Sequence, residues 1–106
     1  MLHWQDVEDL DPNTDFVLDV RNPGEVAAGT IEGAVNIPLP QLRERLDELP
    51  TDRRIVVYCH AGQRAYYAYR ILTQRGFDAI NLCGGIKTYW HATGIQDEPD
   101  IFDEEN

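Results

Sequence analysis

Short apolar runs along the chain predict the strands of a β-sheet. Residues 16–20 and 55–58 are almost continuously apolar, and residues 34–37 and 77–82 are apolar with polar interruptions. Apolar runs of this length are typical of strands that are covered on both faces, as in parallel sheets. A further edge strand is predicted at residues 2–4. The pattern therefore indicates a buried sheet of short strands.

Helical patterns fall between these runs. Leucines at spacing i, i+4 and i+7 predict an amphipathic α-helix over residues 42–49, with charged residues on its other face. A second helix is predicted over residues 65–75 and is followed by Gly76 as its C-cap. A third is predicted over residues 85–92. Strands that alternate with helices in this way predict βα units and a parallel sheet, which is an α/β fold.

The length and the net charge of the chain limit the number of domains and the classes of partner that we expect. A chain of 106 residues is long enough for one hydrophobic core, and its net charge of −10 disfavours nucleic acid and anionic membranes as partners. We expect a single domain over residues 1–96 and an acidic, flexible tail over residues 97–106. No apolar stretch approaches the roughly 20 residues needed to span a bilayer. The first residues lack the pattern of a signal peptide, so we expect a cytoplasmic protein.

Cysteine and histidine usage gives no sign of a metal centre. The chain has 2 cysteines and 3 histidines, and their spacing matches no zinc-binding pattern. We therefore predict neither a metal ion nor a bound cofactor.

Cys59 is the strongest candidate for a reactive group. It follows the apolar run at residues 55–58 and precedes the helix predicted from Ala65. Backbone N–H groups and the positive end of the helix dipole converge at such a junction, which favours the thiolate over the thiol. Because the thiolate is the nucleophile, Cys59 is the predicted catalytic residue.

Several motifs in order give the chain a family resemblance. They are Leu18-Asp19-Val20-Arg21, then Glu25, then the stretch from Gly29 to Pro38, then Val57-Tyr58-Cys59 with its loop, then Leu82-Cys83-Gly84-Gly85 with Trp90. In this order and spacing they resemble the rhodanese family of sulfurtransferases. The resemblance implies a three-layer fold in which helices flank a central parallel five-stranded sheet. It also implies that a persulfide forms on Cys59.

A narrower similarity covers the segments 58–72 and 81–89. These resemble the C-terminal rhodanese module of flavin-dependent coenzyme A-disulfide reductases. The chain has no dinucleotide-binding glycine motif, so a stand-alone relative and an excised module both remain open. Three positions depart from the family pattern: Val26 stands where an aromatic residue is frequent, Thr30 where histidine is frequent, and Cys83 where serine or another small residue is common. We expect the departures at residues 26 and 30 to affect packing more than chemistry.

The resemblance implies sulfur transfer in two steps. Cys59 takes sulfur from a small-molecule donor such as thiosulfate or a persulfide, and a thiol or cyanide acceptor then removes it. The loop residues are the predicted substrate-binding set: His60, Ala61, Gly62, Gln63 and Arg64. Their backbone N–H groups would surround the anionic sulfur, and the Arg64 guanidinium would hold an anionic donor. This interpretation requires a tight loop and a Cys59 thiol that is open to the donor.

Three further residues receive roles in this interpretation. We expect Asp19 and Arg21 to form a buried ion pair that supports the loop structurally rather than act as acid and base. Two interpretations of Cys83 are open. It is either a small buried side chain or a thiol that attacks the Cys59 persulfide and forms an internal disulfide with Cys59.

Two other functions compete with the sulfurtransferase. One is a non-enzymatic sulfur-carrier module that works with a flavin disulfide reductase or a protein sulfur acceptor. The other is an enzyme resembling phosphatases or arsenate reductases. Phosphatases of related fold place five residues between cysteine and arginine, whereas four separate Cys59 from Arg64. The shorter loop suits a single sulfur atom better than a phosphate group.

Overall fold

The computed structural model describes residues 9–31, 33–60 and 63–82. These residues form a parallel sheet with helices between its strands. The strands are β1 (Asp15–Asp19), β2 (Val35–Asn36), β3 (Arg54–Tyr58) and β4 (Ala79–Asn81). The helices are α1 (Pro23–Ala27), a first 3₁₀ helix (Leu39–Glu44), a second 3₁₀ helix (Leu46–Glu48) and α2 (Gln63–Gln74).

The sheet confirms the predicted α/β class. Within the described residues it has 4 strands in the order β2-β1-β3-β4, and every neighbouring pair is parallel. Each of the four apolar runs beyond residue 8 overlaps one of these strands. The predicted edge strand at residues 2–4, which would make the fifth, lies outside the described residues. So do the predicted helix at residues 85–92 and the predicted tail at residues 97–106.

Both faces of the sheet are covered by apolar side chains. Alternate residues of β1 and β3, such as Leu18 and Val57, pack with the buried residues of α2 on one face. Val56 and Tyr58 pack on the opposite face with Ile31 and Leu82. Since side chains alternate along a strand, only a nearly continuous apolar run can fill both sides.

The helix predicted over residues 65–75 is present as α2. Its buried residues recur at helical spacing and are Ala65, Ala68, Ile71 and Leu72. Gly76 follows α2 with φ of +89°, a left-handed conformation that glycine adopts without steric cost. Phe77 N–H donates to the Leu72 carbonyl at 3.0 Å and closes this end of the helix.

The prediction of an α-helix over residues 42–49 is wrong. Two 3₁₀ helices occupy this segment, and Arg45 separates them with φ of −120°. The first begins after Pro38, and its Leu39 N–H donates to the Val20 carbonyl, so its start is fixed by the sheet. Leu42, within the first 3₁₀ helix, and Leu49, at the C-cap of the second, are nevertheless buried.

No helix of the described residues is long and apolar enough to cross a membrane.

We expect Leu18→Ala to lower the free energy of unfolding by about 2–5 kcal/mol, because Leu18 is fully buried and its loss leaves a cavity. Chemical denaturation measures this effect. Val35→Ala is the control, since Val35 on β2 is 42% exposed and should change stability by only about 0.5 kcal/mol. Equal losses in the two variants would contradict the described core.

Candidate active site

The site lies where β1 and β3 end side by side. The two strands pair in register, with Asp19 opposite Tyr58. Val20 N–H then donates to the Tyr58 carbonyl at 3.1 Å, so the chain continues past both strands at one edge of the sheet. Cys59 follows β3 directly, and α2 begins at Gln63. The predicted strand-to-helix junction is therefore present at the edge where open α/β sheets bind ligands.

Cys59 forms no disulfide with a described residue and is fully buried, with 0% of its surface exposed. It belongs to the same apolar cluster as Ala65 and Ala68 of α2. This finding is contrary to the expectation of a thiol open to the donor, because the cysteine packs into the core beneath α2. Sulfur transfer at Cys59 would require a change that exposes the thiol.

The other loop residues differ in their surroundings. His60 is buried, with 1% exposure, whereas Gln63 is exposed at the first position of α2. Ala61 and Gly62 lie outside the described residues, so their part in an amide cradle stays a prediction. The same holds for Cys83 and its proposed disulfide.

Arg64 binds the carboxylate of Glu25, a residue of the family motif for which the sequence predicted no role. Its two terminal nitrogens donate to the two oxygens of Glu25 at 2.8 and 2.9 Å. The Glu25 side chain is 2% exposed and that of Arg64 is 15% exposed. Such a two-point contact fixes both the position and the plane of the guanidinium. Binding of an anionic donor by Arg64 stays a prediction, and the donor would have to use the remaining N–H groups.

Glu25 is held in place from α1. The Asn22 N–H donates to Glu25 Oε1 at 2.9 Å, which is half of a capping box at the start of this short helix. Burial acts to raise the pKa of Glu25, but the hydrogen bonds from Arg64 and Asn22 and the positive charges of Arg64 and Arg21 hold it below its usual value. Glu25 therefore stays ionised against Arg64.

The sequence carried a signal for α1 but none for the pairing of Glu25 with Arg64. Asn22, Pro23 and Glu25 form a helix-start pattern, with proline at the first helical position and glutamate at the third. The pattern identifies α1 but does not identify its partner, which is 39 residues away.

Asp19 and Arg21 form the buried ion pair expected from the sequence. Arg21 donates to Asp19 through Nε and through a terminal nitrogen, the latter at 2.7 Å, and the two side chains are 2% and 0% exposed. Arg21 also donates to the Gly29 carbonyl at 2.7 Å. Burial acts to lower the pKa of Arg21, but its hydrogen bonds to Asp19 and the neighbouring negative charges raise it overall. This geometry is consistent with a supporting role.

Thr30 connects this ion pair to the end of β3. Its hydroxyl donates to Asp19 at 3.2 Å and is hydrogen-bonded to the Tyr58 hydroxyl, which also accepts the Ile31 N–H at 3.1 Å. Burial, followed by the charge of Asp19, raises the pKa of Tyr58. The Tyr58 hydroxyl therefore stays neutral and can donate a hydrogen bond to the Thr30 hydroxyl. Thr30 thus contributes a polar link as well as packing.

Among the described residues, no group of histidine, cysteine, aspartate or glutamate is arranged to hold a metal ion.

Comparison with known proteins identifies the family. A model of the rhodanese-like domain matches residues 3–92, so the chain belongs to the rhodanese-like domain family. The resemblance drawn from the motifs and the predicted fold class are thereby confirmed. The four strands of the described residues, rather than five, are a minor difference within this fold.

Curated relatives carry names that refer to sulfur transfer. A sulfurtransferase of Allochromatium vinosum is 39% identical over 82 residues, covering 76% of this chain and 72% of the relative. The thiosulfate sulfurtransferase PspE of Escherichia coli is 35% identical over 72 residues, covering 66% of this chain and 69% of the relative. These relatives support sulfur transfer in general.

Solved structures of similar fold include parts of larger reductases. The reduced CoADR-RHD protein of Bacillus anthracis, whose rhodanese domain belongs to a coenzyme A-disulfide reductase, matches with a TM-score of 0.84 and 37% identity. An NAD-dependent persulfide reductase from A. fulgidus matches with a TM-score of 0.63 and 43% identity. The matches cover 89% and 71% of this chain, but only 17% and 14% of those two chains.

We expect Asp19→Ala to lower the free energy of unfolding by about 3–5 kcal/mol, because Arg21 would be left buried without its carboxylate. Adding Arg21→Met removes the unpaired charge and should restore part of that loss. Urea denaturation of both variants measures the difference. A loss below about 1 kcal/mol in the single variant would mean that the pair does not support the fold.

We expect Glu25→Gln to destabilise the protein by about 3 kcal/mol at neutral pH, because it leaves Arg64 without its counter-charge. The folded pKa of Glu25 lies below its usual value of 4.5, so its stabilising effect is present above that pH and is lost as the pH falls through the folded pKa. The difference between native and variant stability should therefore shrink in acid.

Glu44→Gln is the matched control, because Glu44 is exposed on the first 3₁₀ helix and its substitution removes the same charge. A pH dependence that is equal in the two variants would contradict the proposed Glu25–Arg64 pair.

Proposed function

We propose that the protein is a sulfurtransferase that moves sulfane sulfur from a donor such as thiosulfate or a persulfide to a thiophilic acceptor through a persulfide on Cys59. The observation that carries the proposal is the position of Cys59, directly after β3 and at the same sheet edge as the start of α2. Membership of the rhodanese-like family and the relatives named as sulfurtransferases support this chemistry.

The first step is attack of the Cys59 thiolate on the outer sulfur of thiosulfate. A new S–S bond forms, the S–S bond of thiosulfate breaks, and sulfite leaves with the electron pair of that bond. The terminal sulfur of the Cys59 persulfide carries the negative charge. In the second step cyanide or a thiolate attacks this sulfur, the persulfide bond breaks, and the thiolate of Cys59 is restored.

The loop supplies the binding site in this proposal. The N–H groups of residues 60–64 stabilise the anionic terminal sulfur, with His60, Ala61, Gly62 and Gln63 forming the cradle. Arg64 closes it. Because Glu25 already balances the charge of Arg64, the backbone N–H groups contribute more of the anion stabilisation than Arg64 does.

Access to Cys59 is a separate step of the proposed reaction. The thiol is fully buried, so the groups packed over it must separate before the donor can approach. In this proposal the separation of these groups is the first step of the reaction. Because a bulky donor needs a wider opening, the reaction should be slower with bulky donors than with thiosulfate. A reducing, cytoplasmic location belongs to the same proposal, because a catalytic cysteine stays reduced there.

A sulfur-carrier module is the second candidate function. The burial of Cys59 favours it, since a partner that opens the site would control when sulfur is transferred. The rhodanese domains found in a coenzyme A-disulfide reductase, and the similar persulfide reductase structure, suggest a flavin disulfide reductase or a protein sulfur acceptor as that partner.

Sulfur loading and turnover together test the proposal. Incubation with thiosulfate should add about 32 Da, the mass of one sulfur atom, to the intact protein, and cyanide should remove it with repeated formation of thiocyanate. Cys59→Ala should abolish both results, whereas Cys83→Ser should still accept sulfur. A Cys59→Ala variant that still turns over would contradict the site assignment.

The alternatives give different results in the same experiment. Stable loading with very slow thiocyanate formation would favour the carrier module. Hydrolysis of a phosphate ester without any sulfur loading would favour the phosphatase-like enzyme instead.

A further inference from the structure

A groove lies between the first 3₁₀ helix and α2, on a surface that the proposed chemistry does not use. Its volume is about 470 Å³, and it is lined by the apolar side chains of Leu39 and Ile71, by Tyr67, and by Arg43 and Arg70. Binding clefts have volumes of about 300–1,000 Å³ and combine apolar walls with a few polar groups. The groove has this composition, with two positive charges.

These two arginines have no acidic partner among the residues that the structure describes. The side chain of Arg43 makes no hydrogen bond or ion pair there, and Arg70 lies 6.0 Å from the centre of the Tyr66 ring without contacting a carboxylate. Arg45, by contrast, binds Glu48, and Arg54 binds Asp15. Two arginines that line the same groove without an acidic partner among the described residues point to a negative group supplied by another segment or molecule.

Exposed aromatic residues extend the groove into a larger surface. Tyr66 and Tyr67 are 46% and 49% exposed, and their ring centres are 6.0 Å apart. Tyrosine and arginine are enriched among the residues that contribute most to protein–protein binding. A small ligand would use only the groove, so the wider aromatic and basic surface favours a protein partner.

The groove begins beside the edge of the sheet that carries Cys59. Leu39 N–H donates to the Val20 carbonyl at 3.1 Å, and Val20 N–H donates to the Tyr58 carbonyl at 3.1 Å. Along the other wall, Tyr67 is about 6 Å from Gln63 in the direction of the helix axis. A segment bound in the groove would therefore extend towards the thiol.

We propose that this groove docks an acidic segment of a protein partner, with its carboxylates on Arg43 and Arg70 and an apolar side chain against Leu39 and Ile71. Arginine clusters bind acidic motifs in this way. The docking itself is independent of sulfur transfer. The identification of the partner as a sulfur donor or acceptor rests on the proposed function.

Binding of a labelled synthetic peptide of about eight alternating glutamate and leucine residues to the full chain tests this proposal by fluorescence anisotropy. Arg43→Gln and Arg70→Gln should each weaken binding by about tenfold, since a charge-assisted contact is lost. Arg75→Gln is the matched control: Arg75 follows α2, does not line the groove, and should leave the affinity within about twofold. Any binding of a peptide with lysine in place of glutamate should not weaken in Arg43→Gln or Arg70→Gln.

Three results would overturn the proposal. The first is absence of saturable binding to the native chain. The second is an equal loss in the Arg75→Gln control, which would mean non-specific attraction. The third is a tenfold gain in affinity when the acids of residues 97–106 are replaced by their amides, because the chain's own C-terminal segment would then be the occupant. The anisotropy does not depend on the thiol, so failure of sulfur loading at Cys59 would leave these results unaffected.

Discussion

The parallel pairing of β1 with β3 is the constraint on which the site depends. Because the two strands are in register, Asp19 and Tyr58 reach the same edge of the sheet, and the residues that follow them meet there. Apolar side chains hold the strands together on both faces. The polar groups at this edge are consequently buried, and buried charges are stable only when they are paired.

The charges at this edge pair in a continuous series. Asp19 binds Arg21, Arg21 lies beside Glu25, and Glu25 binds Arg64. Two negative and two positive groups balance within this series. The series connects the first strand, through α1, to the residue that ends the Cys59 loop. The position of Arg64 is thus set by charge pairs, while the anionic sulfur in our proposal is stabilised mainly by backbone N–H groups.

Local patterns in the sequence predicted the four described strands and α2 correctly, because the spacing of apolar residues and the glycine cap at Gly76 act over a few residues. The same reasoning gave an α-helix at residues 42–49, since a leucine stripe does not distinguish an α-helix from two 3₁₀ helices fixed by Pro38 and Leu39. The Glu25–Arg64 pair and the burial of Cys59 depend on packing between distant segments. Single-sequence patterns carry no information about either contact.

Locating the transferred sulfur within the chain tests the central claim most directly. After exposure to thiosulfate and alkylation, trypsin should release residues 55–64, which contain Cys59, separately from residues 76–87, which contain Cys83. Our account predicts an additional sulfur, about 32 Da, on the peptide with Cys59 alone. Sulfur found only on the peptide with Cys83, or on neither peptide, would contradict it.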